Sequence, residues 1–191
     1  MSLIPPICPP SIKSLTTIAL VLGLITVLGG NATAAQDRFA LMAPSGISFS
    51  EIRGYEDWSA VSILQNEADD KLIVANPTMI EALKAGIPGN GKPFPNGSKV
   101  VKITWSMRKT PGAPFESRMP DRLVAVELIE KDSARFSSAS GWGYAEFDFD
   151  AAKGEFTEKG PEPERAANGV CYACHTIAKA TDFIFVPYAK R

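Results

Sequence analysis

Two cysteines, Cys171 and Cys174, lie three positions apart near the end of the 191-residue chain, and His175 follows the second directly. On one turn of helix, residues i, i+3 and i+4 share a face, so this spacing presents two thiols and an imidazole on one side. A Cys-x-x-Cys-His sequence is the attachment pattern of a c-type haem, in which each thiol adds to a vinyl group and the imidazole binds the iron. The motif therefore predicts one haem c, covalently attached through Cys171 and Cys174, with His175 as an iron ligand.

A redox-active dithiol or a zinc site would use the same residue types. A thioredoxin-like dithiol is expected after a strand early in an α/β unit, whereas this motif lies near the end of the chain. A closed zinc site needs a fourth ligand, but His175 is the only histidine and Cys8 is the only other cysteine. The haem interpretation is therefore favoured over both alternatives.

Residues 1–35 have the features of a secretory leader. Lys13 supplies a positive start, and small residues at 32–34 offer a cleavage site. The apolar run from Leu15 to Leu28 has 14 residues, short of the roughly twenty that a membrane-spanning helix needs. We therefore expect a cleaved signal peptide at 1–35 that takes Cys8 with it, and an exported, periplasmic domain at 36–191 that is not held in the membrane.

The charge of the mature chain excludes one class of partner. Without the leader, 19 basic and 21 acidic residues remain, a formal charge near −2. A nucleic-acid-binding protein is expected to carry a basic patch or a strong positive charge, so nucleic acid is not an expected partner. The remaining 156 residues suit one domain with a single core.

Alternating apolar residues predict a chain rich in strands. The clearest strand is 99–107, where Val101 and Ile103 alternate with Val100 and Lys102, so Lys102 is expected on the wetter face. Asn76 followed by Pro77 predicts a capped helix that continues to about Lys84. Further strands are expected at 59–64, 71–75, 123–130 and 142–149, and the haem-bearing helix is expected at 166–179.

The segments between these elements have weaker signals. Residues 36–49 show no period, and we expect a mobile segment there. Proline and glycine predict loops at 87–97 and 110–120, and residues 161–165 resemble a charged linker. An aromatic extended segment is expected at 182–188.

The position of the motif separates classes of cytochrome. Small electron-transfer cytochromes c usually carry the motif early and take a methionine ligand from far downstream, but no methionine follows His175. Four-helix cytochromes c-prime carry the motif late, yet a chain with 15 prolines, 15 glycines and alternating strands does not fit that bundle.

The order of several short motifs resembles the cytochrome P460 family, which includes the β-sheet cytochromes c-prime. The resemblance spans nearly the whole mature chain and ends on the haem motif. In chain order, the matching segments are residues 55–58 (YEDW), 75–77 (ANP), 91–97 (GKPFPNG), 100–102 (VVK), 131–136 (KDSARF), 141–143 (GWG), 171–175 (CYACH) and 181–185 (TDFIF).

The resemblance implies an α+β, mainly β fold. The expected fold is a twisted antiparallel sheet with a few short helices and a C-terminal haem-attachment helix, commonly in a homodimer. The resemblance further implies that His175 is the proximal ligand and that the opposite side of the iron is open or capped by side chains. In the cytochromes that give the family its name, a lysine is cross-linked to the haem, and Lys102 occupies the matching position.

Candidate residues for the distal side follow from the same resemblance. Lys102 and Glu164 are the candidate catalytic residues, although Glu164 also fits a solvated charged linker. Phe94 is a candidate haem contact that would cap the distal side, as is Phe115, and either also fits the core. Lys71 stands near the position where family enzymes carry an arginine, and it lacks the planar guanidinium fork.

The resemblance implies binding or oxidation of small nitrogen compounds. One hypothesis is an oxidoreductase that oxidises hydroxylamine or nitric oxide and passes electrons to a small redox cytochrome. A second is a non-catalytic protein that binds nitric oxide at an open iron site. A third is a plain electron carrier in which Met107, Met119 or Lys102 is the sixth ligand.

Overall fold

Among the residues that the structure describes, 35–112, 114–158, 169–185 and 188, six strands form one antiparallel sheet. Each strand pairs with the next one along the chain, so the sheet is a meander in this computed structural model. The strands are β1 (Ser59–Gln65), β2 (Asp69–Ala75), β3 (Lys99–Thr110), β4 (Ser117–Lys131), β5 (Trp142–Asp150) and β6 (Glu155–Glu158).

Short helices complete the α+β, mainly β fold that the sequence predicts. The two α-helices of the described residues are α1 (Pro77–Lys84) and α2 (Gly169–His175). Single turns of 3₁₀-helix occur at Arg38–Ala40, Phe49–Ile52, Tyr55–Asp57 and Ser137–Ala139, and a longer one at Thr176–Thr181 follows α2. No helix within the described ranges is long and apolar enough to span a bilayer.

The predicted start of α1 is confirmed and also links two elements. Asn76 Oδ1 accepts hydrogen bonds from the backbone N–H of Met79 and of Lys99, each at 3.0 Å. The first bond caps the helix and the second holds it against the first residue of β3. Pro77 occupies the first helical turn, where a missing N–H costs nothing. This cap directs the buried Met79 towards the sheet.

Apolar clusters cover both faces of the sheet. Val101, Leu128 and Phe147 belong to one cluster, together with the fully buried Ile47 and Phe49. On the opposite face, Ile73, Val100, Trp142 and Tyr144 of the sheet pack with α1 and with Phe183 of the C-terminal segment. The alternation predicted for β3 is confirmed, but its second face is covered by protein as well.

Several sequence expectations need correction. Residues 36–49 are not a free segment, because Ile47 and Phe49 are wholly buried in the core. The loop predicted at 110–120 spans only the residues between β3 and β4, since apolar alternation does not reveal the polar start of β4. The strand β6 was not predicted. The segment expected to be extended from residue 182 begins with two left-handed residues, Asp182 and Phe183.

The C-terminal helix is shorter than predicted. The α-helical part begins at Gly169 and ends at His175, and a 3₁₀-helix continues the chain to Thr181. The expected start at residues 166–168 and the expected linker at 161–165 lie outside the described residues.

The carboxylates of Glu51 and Glu130 lie close together beside the start of β3. Arg135 makes a two-pronged contact with Glu51, at 2.8 and 3.0 Å, and Lys99 Nζ lies 3.3 Å from Glu130 Oε1. Burial raises the pKa of Glu130 to about 7, and the neighbouring Glu51 adds to this effect. Burial also acts to raise the pKa of Glu51, but hydrogen bonds from Arg135 and Glu130 lower it to about 2. Glu130 is therefore the member of the pair that holds a proton near neutral pH.

This pair predicts a pH dependence of stability. Because the pKa of Glu130 is about 7 in the folded protein against 4.5 for an ordinary glutamate, the folded state holds a proton that the unfolded chain has already lost. The free energy of unfolding should therefore fall as the pH rises from about 4.5 to 7, by on the order of 2 kcal/mol. Glu130→Gln should flatten this slope, measured by urea unfolding at several pH values. Glu116→Gln, at an exposed ion pair with Lys109, should leave the dependence of the free energy of unfolding on pH as it is in the wild type. An unchanged pH dependence in Glu130→Gln would contradict the raised pKa of Glu130.

A close approach of backbone and ring gives a second prediction. A Cβ atom at Gly143 would overlap the ring of the buried Phe136. Gly143→Ala should lower the free energy of unfolding by about 1–3 kcal/mol, because the ring must move within a packed core. Thermal melting of Gly143→Ala, Phe136→Leu and the double variant measures this. The double variant should lose less free energy of unfolding than the sum of the losses in the two single variants. Strictly additive losses would show that the two positions do not touch.

Candidate haem site

A cavity of about 350 Å³ lies between one face of the sheet, α1 and the C-terminal segment. Its size is within the usual range for small-molecule sites. Most of its lining is apolar, with contributions from Val61 and Ile73 of the sheet, Met79 and Leu83 of α1, and Ile184. The charged residues of its lining are Lys102, Glu127 and Glu146.

The structure brings all three residues of the Cys-x-x-Cys-His motif to this cavity. Cys171, Cys174 and His175 line the same wall, which the turn of α2 presents to the sheet. The two thiols are not joined in a disulfide. Two thiols and one imidazole on a single wall are the donor set that covalent haem attachment and iron binding need.

The imidazole of His175 has a defined hydrogen-bonding state. Its Nδ1 lies 2.6 Å from the carbonyl oxygen of Phe183. Because a carbonyl only accepts hydrogen bonds, Nδ1 carries the proton and the lone pair is on Nε2, the nitrogen that is then able to bind a metal. Tyr144 and Phe185 hold the ring by aromatic contacts, with centroids 5.0 and 4.8 Å away.

The surroundings of His175 favour its neutral form. Burial is the largest cause that lowers the pKa of the imidazole, and the positive charge of Lys102 lowers it further. The hydrogen bond to Phe183 acts in the opposite direction without cancelling these effects. A neutral imidazole is the form that binds iron.

The charged residues of the cavity form a row across the sheet. Ile73, Lys102, Glu127 and Glu146 stand directly opposite one another on β2, β3, β4 and β5. Lys102 Nζ lies 2.6 Å from Glu127 Oε1, and the two side chains are about one-third and one-quarter exposed, at 33% and 26%. The neighbouring row contains Val100, Ile129 and Tyr144 and is apolar apart from the tyrosine hydroxyl.

Lys102 therefore lies at the cavity and on the wetter face of β3 at once, since the face opposite the larger core forms the cavity floor. Glu127 is a cavity residue that the sequence does not single out. A charged residue inside the apolar run 123–130 was the available signal, but its pairing with Lys102 depends on the register between β3 and β4.

Phe94 does not line the cavity. Its ring is buried in the core, where it packs edge-on against Trp142 with centroids 6.0 Å apart. Its backbone N–H donates to Asp182 Oδ2 at 2.8 Å. Phe115, the other candidate cap, is 72% exposed at the tip of the β3–β4 hairpin. Glu164 lies outside the described residues.

The remaining candidates also lie away from the cavity lining. Lys71 pairs with Asp69 on β2. Met107 and Met119 lie in the outer part of the β3–β4 hairpin, where Met107 stands opposite Pro120 and Met119 stands opposite Arg108. Neither methionine lines the cavity that contains His175.

The residues present fit a haem. The walls are apolar, as a porphyrin ring requires, and the thiols and imidazole share one wall. Among the described side chains, no three of His, Cys, Asp and Glu come together as a metal site of their own. The large apolar cavity beside the motif matches the haem interpretation.

A mainly antiparallel sheet with a Cys-x-x-Cys-His helix on an apolar cavity defines a haem-binding cytochrome. The sequence profile described as Cytochrome P460 matches residues 52–186, and the chain belongs to this family, as its motifs predicted. The family binds haem c. No curated protein matches the chain significantly.

Proposed function

We propose that this chain is an exported mono-haem c cytochrome that oxidises hydroxylamine or a related small nitrogen compound. The observation that carries the proposal is the Lys102–Glu127 ion pair, at 2.6 Å, in a cavity that also contains the motif residues. In this proposal Cys171 and Cys174 attach the haem covalently and His175 is its proximal ligand. The face of the haem away from His175 is open to the substrate.

The haem would supply an iron that binds the nitrogen atom and accepts electrons. Removing electrons from hydroxylamine also releases protons, so the site needs a base near the substrate. The carboxylate of Glu127 is a base inside the cavity, and Lys102 holds it in one orientation.

The apolar walls select the substrate by size and charge. Burying an ion without a partner costs several kcal/mol, so a cavity lined mainly by aliphatic groups favours small uncharged molecules. Hydroxylamine as the free base and nitric oxide both satisfy this requirement. An anion such as nitrite would have to lose its hydration against the carboxylate of Glu127.

A second candidate function is non-catalytic binding of nitric oxide. The predominantly apolar lining of the cavity favours it. A plain electron carrier is less well supported, since Met107 and Met119 lie away from the cavity lining.

The location and partners are part of the same proposal. The leader-like residues 1–35 support export to the periplasm, where a covalent haem would be attached. Electrons taken from the substrate would pass to a small redox cytochrome, and a homodimer is the proposed assembly. Migration of the purified mature protein in gel filtration tests the homodimer.

Attachment is tested by mass. The isolated protein should have the mass of the chain beginning near residue 36 plus one haem, and Cys171→Ser or Cys174→Ser should each remove one thioether bond. A protease digest shows whether the Lys102 peptide is joined to the haem peptide. A bond between them would remove the ammonium that pairs with Glu127 and contradict the role proposed for this ion pair, whereas two thioethers alone would agree with it. Reduced protein should show a five-coordinate high-spin spectrum. A six-coordinate low-spin spectrum without added ligand would exclude an open iron site.

Catalysis is tested at Glu127. Glu127→Gln keeps the size of the side chain but removes the base, so hydroxylamine oxidation should fall by about a hundredfold or more. The affinity of Glu127→Gln for nitric oxide should stay within about twofold of the wild-type affinity, because nitric oxide needs no proton acceptor. The matched control Glu116→Gln, exposed at the hairpin tip, should keep full activity. Full activity in Glu127→Gln would refute the base, and an inactive wild type that binds nitric oxide would establish the second candidate.

A further inference from the structure

The carboxylate of Asp182 gathers donors from three distant parts of the chain. Lys131 Nζ, from the end of β4, lies 3.0 and 3.2 Å from its two oxygens. Trp142 Nε1, from β5, donates to Oδ1 at 3.3 Å, and the backbone N–H of Phe94 donates to Oδ2 at 2.8 Å. The residue that follows the haem motif by seven positions is thereby fixed to the sheet and to the loop before β3.

This cluster is buried and charge-balanced. The side chains of Lys131 and Asp182 are only 6% and 13% exposed. Trp142 is wholly buried, and the ammonium of Lys131 also lies over its ring, 4.7 Å from the centroid. A buried carboxylate with a paired ammonium and two further donors has little freedom to move, because breaking any contact would leave a charge uncompensated.

Asp182 also sets an unusual backbone conformation. Asp182 and Phe183 both adopt positive φ, at 48° and 66°. The left-handed region costs on the order of 1–2 kcal/mol for a residue with a side chain, and aspartate visits it more readily than phenylalanine. The hydrogen bonds of the Asp182 carboxylate offset this cost and hold the chain reversal in place.

The chain reversal carries the acceptor for His175. The backbone N–H of Phe183 donates to the carbonyl oxygen of Ala178 at 2.9 Å. The carbonyl oxygen of Phe183 accepts the 2.6 Å hydrogen bond from Nδ1 of His175. The ring of Phe183 is buried and stacks on Tyr172, with centroids 5.5 Å apart. The position of this carbonyl therefore depends directly on the conformation of the residue before it, Asp182.

We propose that Asp182 is a positioning residue for the imidazole of His175, acting through the carbonyl of Phe183 and anchored by Lys131. The inference rests on the proposed function to the extent that His175 binds iron. A hydrogen bond from Nδ1 makes the imidazole a stronger electron donor. Holding that bond short and fixed would stabilise the oxidised iron and so lower the midpoint potential.

The test uses the holoprotein and the variant Asp182→Asn, with Asp150→Asn as matched control. Asp150 also accepts backbone hydrogen bonds in a turn, but it lies at the β5–β6 hairpin. In Asp182→Asn the iron–histidine stretching frequency of the reduced protein, measured by resonance Raman spectroscopy, should fall, and the midpoint potential should rise. Both should stay at the wild-type values in Asp150→Asn.

The single histidine of the chain allows a second readout. In the diamagnetic carbon monoxide complex of the reduced protein, the proton on Nδ1 of His175 gives an assignable NMR signal. Its exchange with water should be at least tenfold faster in Asp182→Asn. If that variant fails to fold, the double variant Asp182→Asn/Lys131→Met removes the ion pair without leaving the ammonium uncompensated, and the same shifts are expected.

The outcomes separate this inference from the proposed function. A lower melting temperature in Asp182→Asn with unchanged stretching frequency, potential and exchange rate would mean that Asp182 is only structural, and the inference would be overturned. A wild-type protein without covalent haem, or with no iron–histidine stretch, would instead overturn the proposed function. Normal hydroxylamine or nitric oxide chemistry in the wild type with the expected shifts in Asp182→Asn supports both.

Discussion

The closure of the C-terminal segment over one face of the sheet is the constraint on which the cavity depends. No side chain of the motif helix α2 is fully buried, although Cys171 and Tyr172 pack against the core. The residues after α2 are held more firmly, because Phe183 and Ile184 are buried and Asp182 forms an ion pair with Lys131. The same contacts place the carbonyl that hydrogen-bonds His175. The wall that carries the Cys-x-x-Cys-His motif is thus fixed from its C-terminal side.

The opposite wall of the cavity combines apolar surface with three charged residues, Lys102, Glu127 and Glu146. Lys102 and Glu127 stand directly across from each other on β3 and β4. A single charge in this position would be costly to desolvate, whereas the pair compensates itself at 2.6 Å. The register of the sheet therefore places a proton acceptor in a mainly apolar site. A proton acceptor is the chemical difference between a gas-binding pocket and one suited to oxidising a proton-bearing substrate.

Elements with local signals could be predicted from the sequence. The cap at Asn76, the alternation in β3 and the spacing of the motif each depend on residues within a few positions of one another. Glu127 and Asp182 were missed because their partners are distant, and the Lys131–Asp182 contact spans 51 residues. The sequence predicts a mobile segment at residues 36–49, but Ile47 and Phe49 are buried, and this burial depends on a sheet built from residues far along the chain. Phe94 was assigned to the distal side on family resemblance, and its packing against Trp142 has no local signal.

The sequence by itself determined the Cys-x-x-Cys-His motif and the family, because this motif and the order of the other short motifs are local properties of the chain. Only the tertiary structure decided which charges share the cavity and which carbonyl meets the imidazole of His175. The physical reason is that strand register and chain reversal bring together residues that no spacing rule connects. A one-residue shift between β3 and β4 would send Glu127 to the other face of the sheet and leave Lys102 without its partner.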